Sequence, residues 1–388
     1  MALSSRENIQ CLFEKKSAER VGLMDNIWRQ TLKLWVTQGY PTRRVRKTDT
    51  VDVGENGAVG KREVEWEQDD AVPPYEHFGF DMAGAGSAPN MMPIKNGSEV
   101  IEETDEWRIT RNGAGAALKY WKHKAGCPEH IDFRMTSREV WERDYRHHLV
   151  GFDPERVRVE AARENLKRHR EAGRWAHFGG LFIWENMRRS LGDVCMYESL
   201  VLDPDWIHDY NRVYTDLYKT HYAYLFEQVG LPDGIWMYED LGYNKGLFCS
   251  PKVLGELIFP YFAEVVEFFH SYGLPVVLHT CGSTTEALPL IVEAGFDGLN
   301  PMEVAAGNDT LKFAEQYADD FVFIGGLDKR ILETHDRELI RKEVAALIEG
   351  MKARGARYVF ASDHSISTKT RYQDFQWAVE VYRDHMLY

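Results

Sequence analysis

At 388 residues, with 44% hydrophobic and 13% aromatic side chains including 11 Trp, the chain can fill a large buried core, which excludes an intrinsically disordered protein. A net charge of -14 excludes a general nucleic-acid surface, which needs clustered Lys and Arg to displace counterions from phosphates. No stretch approaches the roughly 20 consecutive apolar residues of a membrane helix, and the opening MALSSRENIQ lacks a signal peptide's apolar core, so the expected location is the cytoplasm.

The length suits one β/α barrel carrying insertions. Ser4 to Pro41 reads as helical, because Trp28, Thr31, Leu32 and Trp35 keep helical spacing and Gly39-Tyr40-Pro41 stops the run. Arg43, Arg44, Arg46 and Lys47 form the one basic patch, read as a solvated loop because acids follow from Asp49 to Asp70. From Thr42 to about Cys127, alternating stretches such as Arg62 to Trp66 and Trp107 to Thr110 sit between Gly- and Pro-rich pieces and predict a small β-rich elaboration. A charge-rich stretch from Ser137 through Ala172 predicts helix. The five cysteines (Cys11, Cys127, Cys195, Cys249, Cys281) have no regular spacing and suit a reduced intracellular protein.

From Phe178 onward short apolar runs alternate with longer amphipathic ones, the pattern of parallel strands joined by crossover helices. The strand runs are Leu181 to Trp184, Ile235 to Tyr238, Val276 to Leu278, Gly298 to Asn300, Phe321 to Ile324 and Tyr358 to Phe360. Helix patterns between them include Pro251 to Tyr272, Thr284 to Ala294, Leu311 to Ala318 and Arg337 to Ala353. Polar and ionisable residues follow nearly every strand: Glu239 and Asp240, His279 and Cys281, Asn300 and Glu303, Asp328 and Lys329, Asp363 and His364. In a barrel these ends converge on one face that carries the chemistry, so the expected fold is an α/β (β/α)8 TIM-type barrel rather than an open sheet. The expected division is an N-terminal helical and β-rich elaboration over 1–130 and the main part of the barrel over 131–388.

Leu278-His279-Thr280-Cys281-Gly282 is the sharpest motif. Alternate residues of a strand share a face, so His279 and Cys281 emerge together and can share one ion, and imidazole beside thiolate suits zinc. Glu239 or Asp240 offers a further ligand or a general acid, or simply a cap or ion pair. Trp184, Trp236, Tyr238 and Tyr243 together make a ring-lined cavity, with Asn300 and Glu303 as further substrate contacts. Gly179-Gly180 and Gly325-Gly326 read as tight turns where backbone runs close to a ligand.

Several stretches resemble the uroporphyrinogen decarboxylase superfamily: Asp233 to Gly242, Gly246 to Pro251 with Pro260, His279-Thr-Cys-Gly, Leu290 to Gly295, Leu299 to Val304, Ile324 to Lys329, and Ser362-Asp-His364. The superfamily comprises porphyrinogen decarboxylases and methyltransferases. The decarboxylases open with an arginine-rich Met-Arg-Gln-Ala-Gly-Arg segment, of which Val21 to Leu32 keeps only Arg29-Gln30, too little to grip a many-carboxylate tetrapyrrole. His-x-Cys after a strand resembles the zinc signature of the methyltransferase branch. In that branch the third ligand is a late cysteine, and the resemblance puts His364 at its place, so the implied metal set is His279, Cys281 and His364. His364 is alternatively an acid/base or substrate residue beside Asp363. The resemblance thus implies a zinc-dependent methyltransferase with Glu239, Asp240 and Asp363 in catalytic roles, acting between a small methylated compound, such as a methoxylated or methylamine-type one, and a corrinoid protein or thiol. No corrinoid domain is visible, so cobalamin would arrive on a separate partner; a homodimer is a further association to consider. The alternatives are a decarboxylase or lyase acting on a porphyrinogen or another carboxylated small molecule, and a non-enzymatic binding module for a corrinoid or metal.

Overall fold

The computed structural model describes residues 2–53, 60–124 and 128–388; Cys127 lies outside them. Eight parallel strands form the central sheet: β1 (Gly22–Leu23), β2 (Met82–Ser87), β3 (Trp175–Leu181), β4 (Gly234–Tyr238), β5 (Val276–Thr280), β6 (Gly298–Pro301), β7 (Val322–Leu327) and β8 (Arg357–Ser362). Their order, β1-β8-β7-β6-β5-β4-β3-β2, runs continuously around a (β/α)8 barrel. The seam between β1 and β2 is drawn shut by Asp81. Its N–H donates to the Leu23 carbonyl at 2.8 Å, its carboxylate accepts the Leu23 N–H at 2.7 Å, and it pairs with the Arg20 guanidinium at 2.6 Å.

Trp175, Trp236, Val277, Val322, Ile324 and Val359 pack inside the barrel with Ile9 and Leu12. The last two belong to helix α1 (Ser5–Phe13), started by a Ser4–Glu7 capping box, which stoppers the barrel's N-terminal end. The helices following the strands bury a second apolar layer against the outer face of the sheet. Among them Pro204–Val229 is the longest described, begun by Asp203 at its cap and Pro204 in its first turn.

The β-rich elaboration is present as an antiparallel hairpin, Thr42–Val53 with Gly60–Ala71, and a four-stranded sheet from Glu99–Glu103 to Glu129–Asp132. Residues 1–130 also supply two barrel strands, β1 and β2. Ser4 to Pro41 is therefore not one helix: α1 and α2 (Arg29–Thr37) flank β1, because the intervening backbone pairs with Val359 and Phe360. Ser137 to Ala172 is likewise broken into short turns before Val159–Glu171, with Gly151 and Pro154 interrupting the run. The strand expected at Leu181 to Trp184 lies upstream, and Trp184 sits on helix Ile183–Leu191. Neither glycine pair forms a turn. Gly179 and Gly180 lie within β3, and Gly325 and Gly326 within β7 at positive φ, where an added Cβ on Gly325 would run into the Pro301 carbonyl. Arg43 and Arg44 pair with Glu76 and Glu67 across the hairpin and its neighbour.

Candidate metal centre at the barrel mouth

Barrel register brings the key residues side by side. Tyr238 of β4 lies beside His279 of β5, and His279 beside Asn300 of β6. Their side chains emerge at the strands' C-terminal ends onto a cavity of about 580 Å³, a size suited to a small organic ligand.

His279 and Cys281 come together as the two-residue strand period requires, with Cys281 Sγ 3.4 Å from His279 Nε2. Asp240, just past β4, completes the group: its Oδ1 is 3.9 Å from His279 Nε2 and accepts the Cys281 N–H at 2.9 Å. One ligand atom from each of Asp240, His279 and Cys281 lies within 4.8 Å of the other two. Gly282, at positive φ, allows the turn that follows; a Cβ there would run into Gly242, and its N–H donates to Glu303 at 2.8 Å.

The Asn300 amide sets the imidazole. Its Nδ2 donates to the Ile324 carbonyl at 2.9 Å, which turns Oδ1 toward His279 Nδ1 at 2.5 Å. Nδ1 therefore carries the proton and Nε2 presents its lone pair to the group, the tautomer a metal ligand needs. Burial holds the His279 pKa below its ordinary value, which keeps the ring neutral.

The other expected residues divide into two sets. Tyr238 lines the cavity, its ring 5.1 Å from that of His279, and Asn300 and His364 line it too. His364 is not part of the three-residue group. It lies edge-on to Trp28, and its Nδ1 is buried without a hydrogen-bond partner among the described residues. Glu239 is fully buried; its Oε2 accepts the Glu185 N–H at 2.8 Å, and desolvation pushes its pKa well above the usual carboxylate range. Asp363 is spent on backbone, accepting the Val304 and Lys329 N–H groups at 2.9 and 3.0 Å, and desolvation raises its pKa. Trp184 is in the core and donates from Nε1 to the Asp240 carbonyl at 2.7 Å, while Tyr243 is 45% exposed on a small hairpin outside the cavity lining. Asp328 caps the helix after β7 and pairs with Arg330.

Among the cavity residues that escaped the sequence reading are His177 and Asp25. His177 of β3 stacks near Trp236, and burial lowers its pKa to about 4. Its alternation with Trp175 was the available signal. Asp25 follows β1, a strand too short to leave a pattern.

Fold and site together define a β/α-barrel protein whose strand ends hold a candidate metal centre. Residues 208–385 match the family model described as uroporphyrinogen decarboxylase (URO-D), the family that the motifs of this part of the chain resemble. No curated protein matches the chain significantly. Among solved structures, a methyltransferase from Methanosarcina mazei is 14% identical over 98% of this chain and 99% of that one, with a TM-score of 0.66. A chitinase from Chromobacterium violaceum is 10% identical over 56% and 83% of the two chains, with a TM-score of 0.35, too low to bear on the fold. Among the described residues no helix is long and apolar enough to cross a membrane.

Proposed function

We propose that the chain is a zinc-dependent methyltransferase moving a methyl group between a small methylated substrate and a corrinoid protein or thiol acceptor. The observation that carries this reading is the Asp240–His279–Cys281 group with Nε2 of His279 already turned into it. Its oxygen, nitrogen and sulfur donors fit zinc, and three protein ligands leave one position for substrate. Zinc held there would supply Lewis-acid chemistry, lowering a thiol's pKa or polarising the atom from which methyl departs. The name of the M. mazei methyltransferase, with which this chain aligns nearly end to end, supports the same reading.

The chain's own residues supply position. Asn300 fixes the imidazole, Asp240 ties the Cys281 backbone to the group, and the buried carboxyls of Glu239 and Asp363 hold the backbone of the helix Ile183–Leu191 and of the segment at Val304. The decarboxylase alternative lacks its counterions, because no Lys or Arg among the described residues lines the cavity. Elemental analysis should find about one zinc per chain, and the loaded protein should transfer methyl from a methylated donor to cob(I)alamin or a thiol. Metal-free protein that decarboxylates a porphyrinogen would overturn the proposal.

A further inference from the structure

Below the metal group the cavity has a floor with unused hydrogen-bonding capacity. Gly84 of β2, His177 of β3 and Trp236 of β4 line it from adjacent strands, over an apolar layer that includes Met82 and Trp175. Gly84 stands in register with His177, and the centroids of the His177 and Trp236 rings are 4.8 Å apart. Trp236 lies two residues before Tyr238 on the same face of β4, one layer deeper in the barrel. His177 and Trp236 are only 6% and 2% exposed. Even so, the Trp236 Nε1 has no hydrogen-bond partner among the described residues, and neither has the His177 Nδ1, although the Phe178 backbone is near it. Buried polar groups left unpaired are costly, so two at one floor point to a group that a ligand brings.

The chemistry of the two rings selects that group. An indole N–H only donates, whereas a neutral imidazole offers one donor and one acceptor. A hydroxyl accepts from the first and exchanges a hydrogen bond with the second in either tautomer; a carbonyl can only accept. A carboxylate would need a charge partner, and the floor has none. Burial lowers the His177 pKa to about 4 and keeps the ring neutral, and no Lys or Arg among the described residues lines the cavity. The metal group lies past the Tyr238 ring, whose centroid is 6.4 Å from that of Trp236 and 5.1 Å from that of His279. Zinc held there is already balanced by the Asp240 carboxylate and the Cys281 thiolate. The rings of Trp236 and Tyr238 favour a flat, ring-bearing body between the two ends.

We infer that Gly84, His177 and Trp236 form a specificity pocket that holds an uncharged hydroxyl on the far side of a ring-bearing substrate from its reacting end. That the reacting end is a methyl group rests on the methyltransferase reading. Gly84 is the residue that makes the space: its φ is not positive, and a Cβ there would reach to 3.5 Å from the His177 ring, so the glycine is required by room for a ligand rather than by its backbone.

Isothermal titration calorimetry with phenol, its near-isostere toluene, benzaldehyde and benzoate tests this in zinc-loaded protein and in protein freed of zinc. Phenol should bind about 10-fold or more tighter than toluene in both forms, with benzaldehyde between them and benzoate weakest in the zinc-free form. Equal affinities, or no binding, overturn the inference. So does a phenol preference that appears only with zinc, which would put the hydroxyl on the metal. Benzaldehyde or benzoate held as tightly as phenol without zinc would overturn the hydroxyl assignment. Trp236→Phe keeps a ring and removes the N–H, so the phenol-to-toluene ratio should fall to near 1; a retained ratio overturns the role of the indole. Gly84→Val should fill the floor and weaken phenol and toluene alike by about 10-fold or more, and undiminished binding would place both probes elsewhere. None of these measurements needs turnover. A phenol preference in protein that transfers no methyl group upholds the pocket and defeats the methyltransferase reading, and methyl transfer without the preference does the reverse.

Discussion

The ends of β5 and β8 carry similar letters, His-x-Cys at one and Asp-His at the other, yet the structure uses them differently. At β5, His279 has its Nδ1 committed to Asn300 and its Nε2 facing Cys281 and Asp240. At β8, Asp363 is committed to two backbone N–H groups, and His364 has a buried Nδ1 with no partner among the described residues. A metal-ligating histidine normally has its second nitrogen oriented by another group. The imidazole at β5 meets that condition, and the one at β8 does not. Adjacency in sequence therefore says less about ligation than what holds the far side of the ring.

The contrast is exposed to direct attack. His279→Ala and Cys281→Ala should each reduce zinc from about one equivalent to near none and abolish methyl transfer. Their far-ultraviolet circular dichroism should stay unchanged, because the barrel core is built without these side chains. Loss of folded protein in either variant would mean that the metal is structural. The next effect separates Asp240 from His364. Asp240→Ala should weaken zinc by more than the roughly 10- to 100-fold typical of an outer partner, whereas His364→Ala should keep stoichiometric zinc and lose turnover. Stoichiometric zinc in Asp240→Ala, with none in His364→Ala, would reverse the roles of the two strand ends. Asn300→Ala comes third: it leaves all three donors in place but frees the imidazole, so zinc affinity should drop about 10- to 100-fold. Competition with a chromophoric chelator measures it, and an unchanged affinity would remove Asn300 as the orienting group.

The same logic explains which parts of the molecule could be read from the letters. β4 to β8 are runs such as Ile235-Trp-Met-Tyr and Phe321-Val-Phe-Ile, whose branched and aromatic side chains mark buried parallel strands before any partner is known. β1 is two residues long and β2 is Met-Ala-Gly-Ala-Gly-Ser; neither has local propensity, and both exist because a neighbouring strand offers hydrogen bonds. Missing β1 hid Asp25, since an acid is recognised as a mouth residue only when the strand before it is seen. His279 and Cys281 were legible because a period of two is a local property. That Asp240 lies with them was not, because it depends on β4 and β5 ending side by side in the barrel.

The smallest expected effect falls on Tyr243, grouped in the sequence with Tyr238 as an aromatic residue near the same strand end. Tyr238 closes β4, lies in register with His279 and faces the cavity, so its ring is available to a bound substrate. Five residues further on, Tyr243 belongs to a two-stranded hairpin with Gly246–Leu247; it is 45% exposed and its ring packs on Phe248 at 5.7 Å. Its backbone carbonyl, not its ring, holds the turn after Cys281 by accepting the Ser283 N–H at 2.8 Å, and a side-chain substitution leaves that bond in place. Tyr243→Ala should therefore change KM and kcat by no more than about 2-fold, as for surface substitutions away from a site. Tyr238→Ala should raise KM clearly, by roughly 10-fold for one lost ring contact. If the two variants were equally impaired in steady-state assays, the hairpin would have to fold over the mouth during turnover, and the substrate surface would extend beyond the cavity.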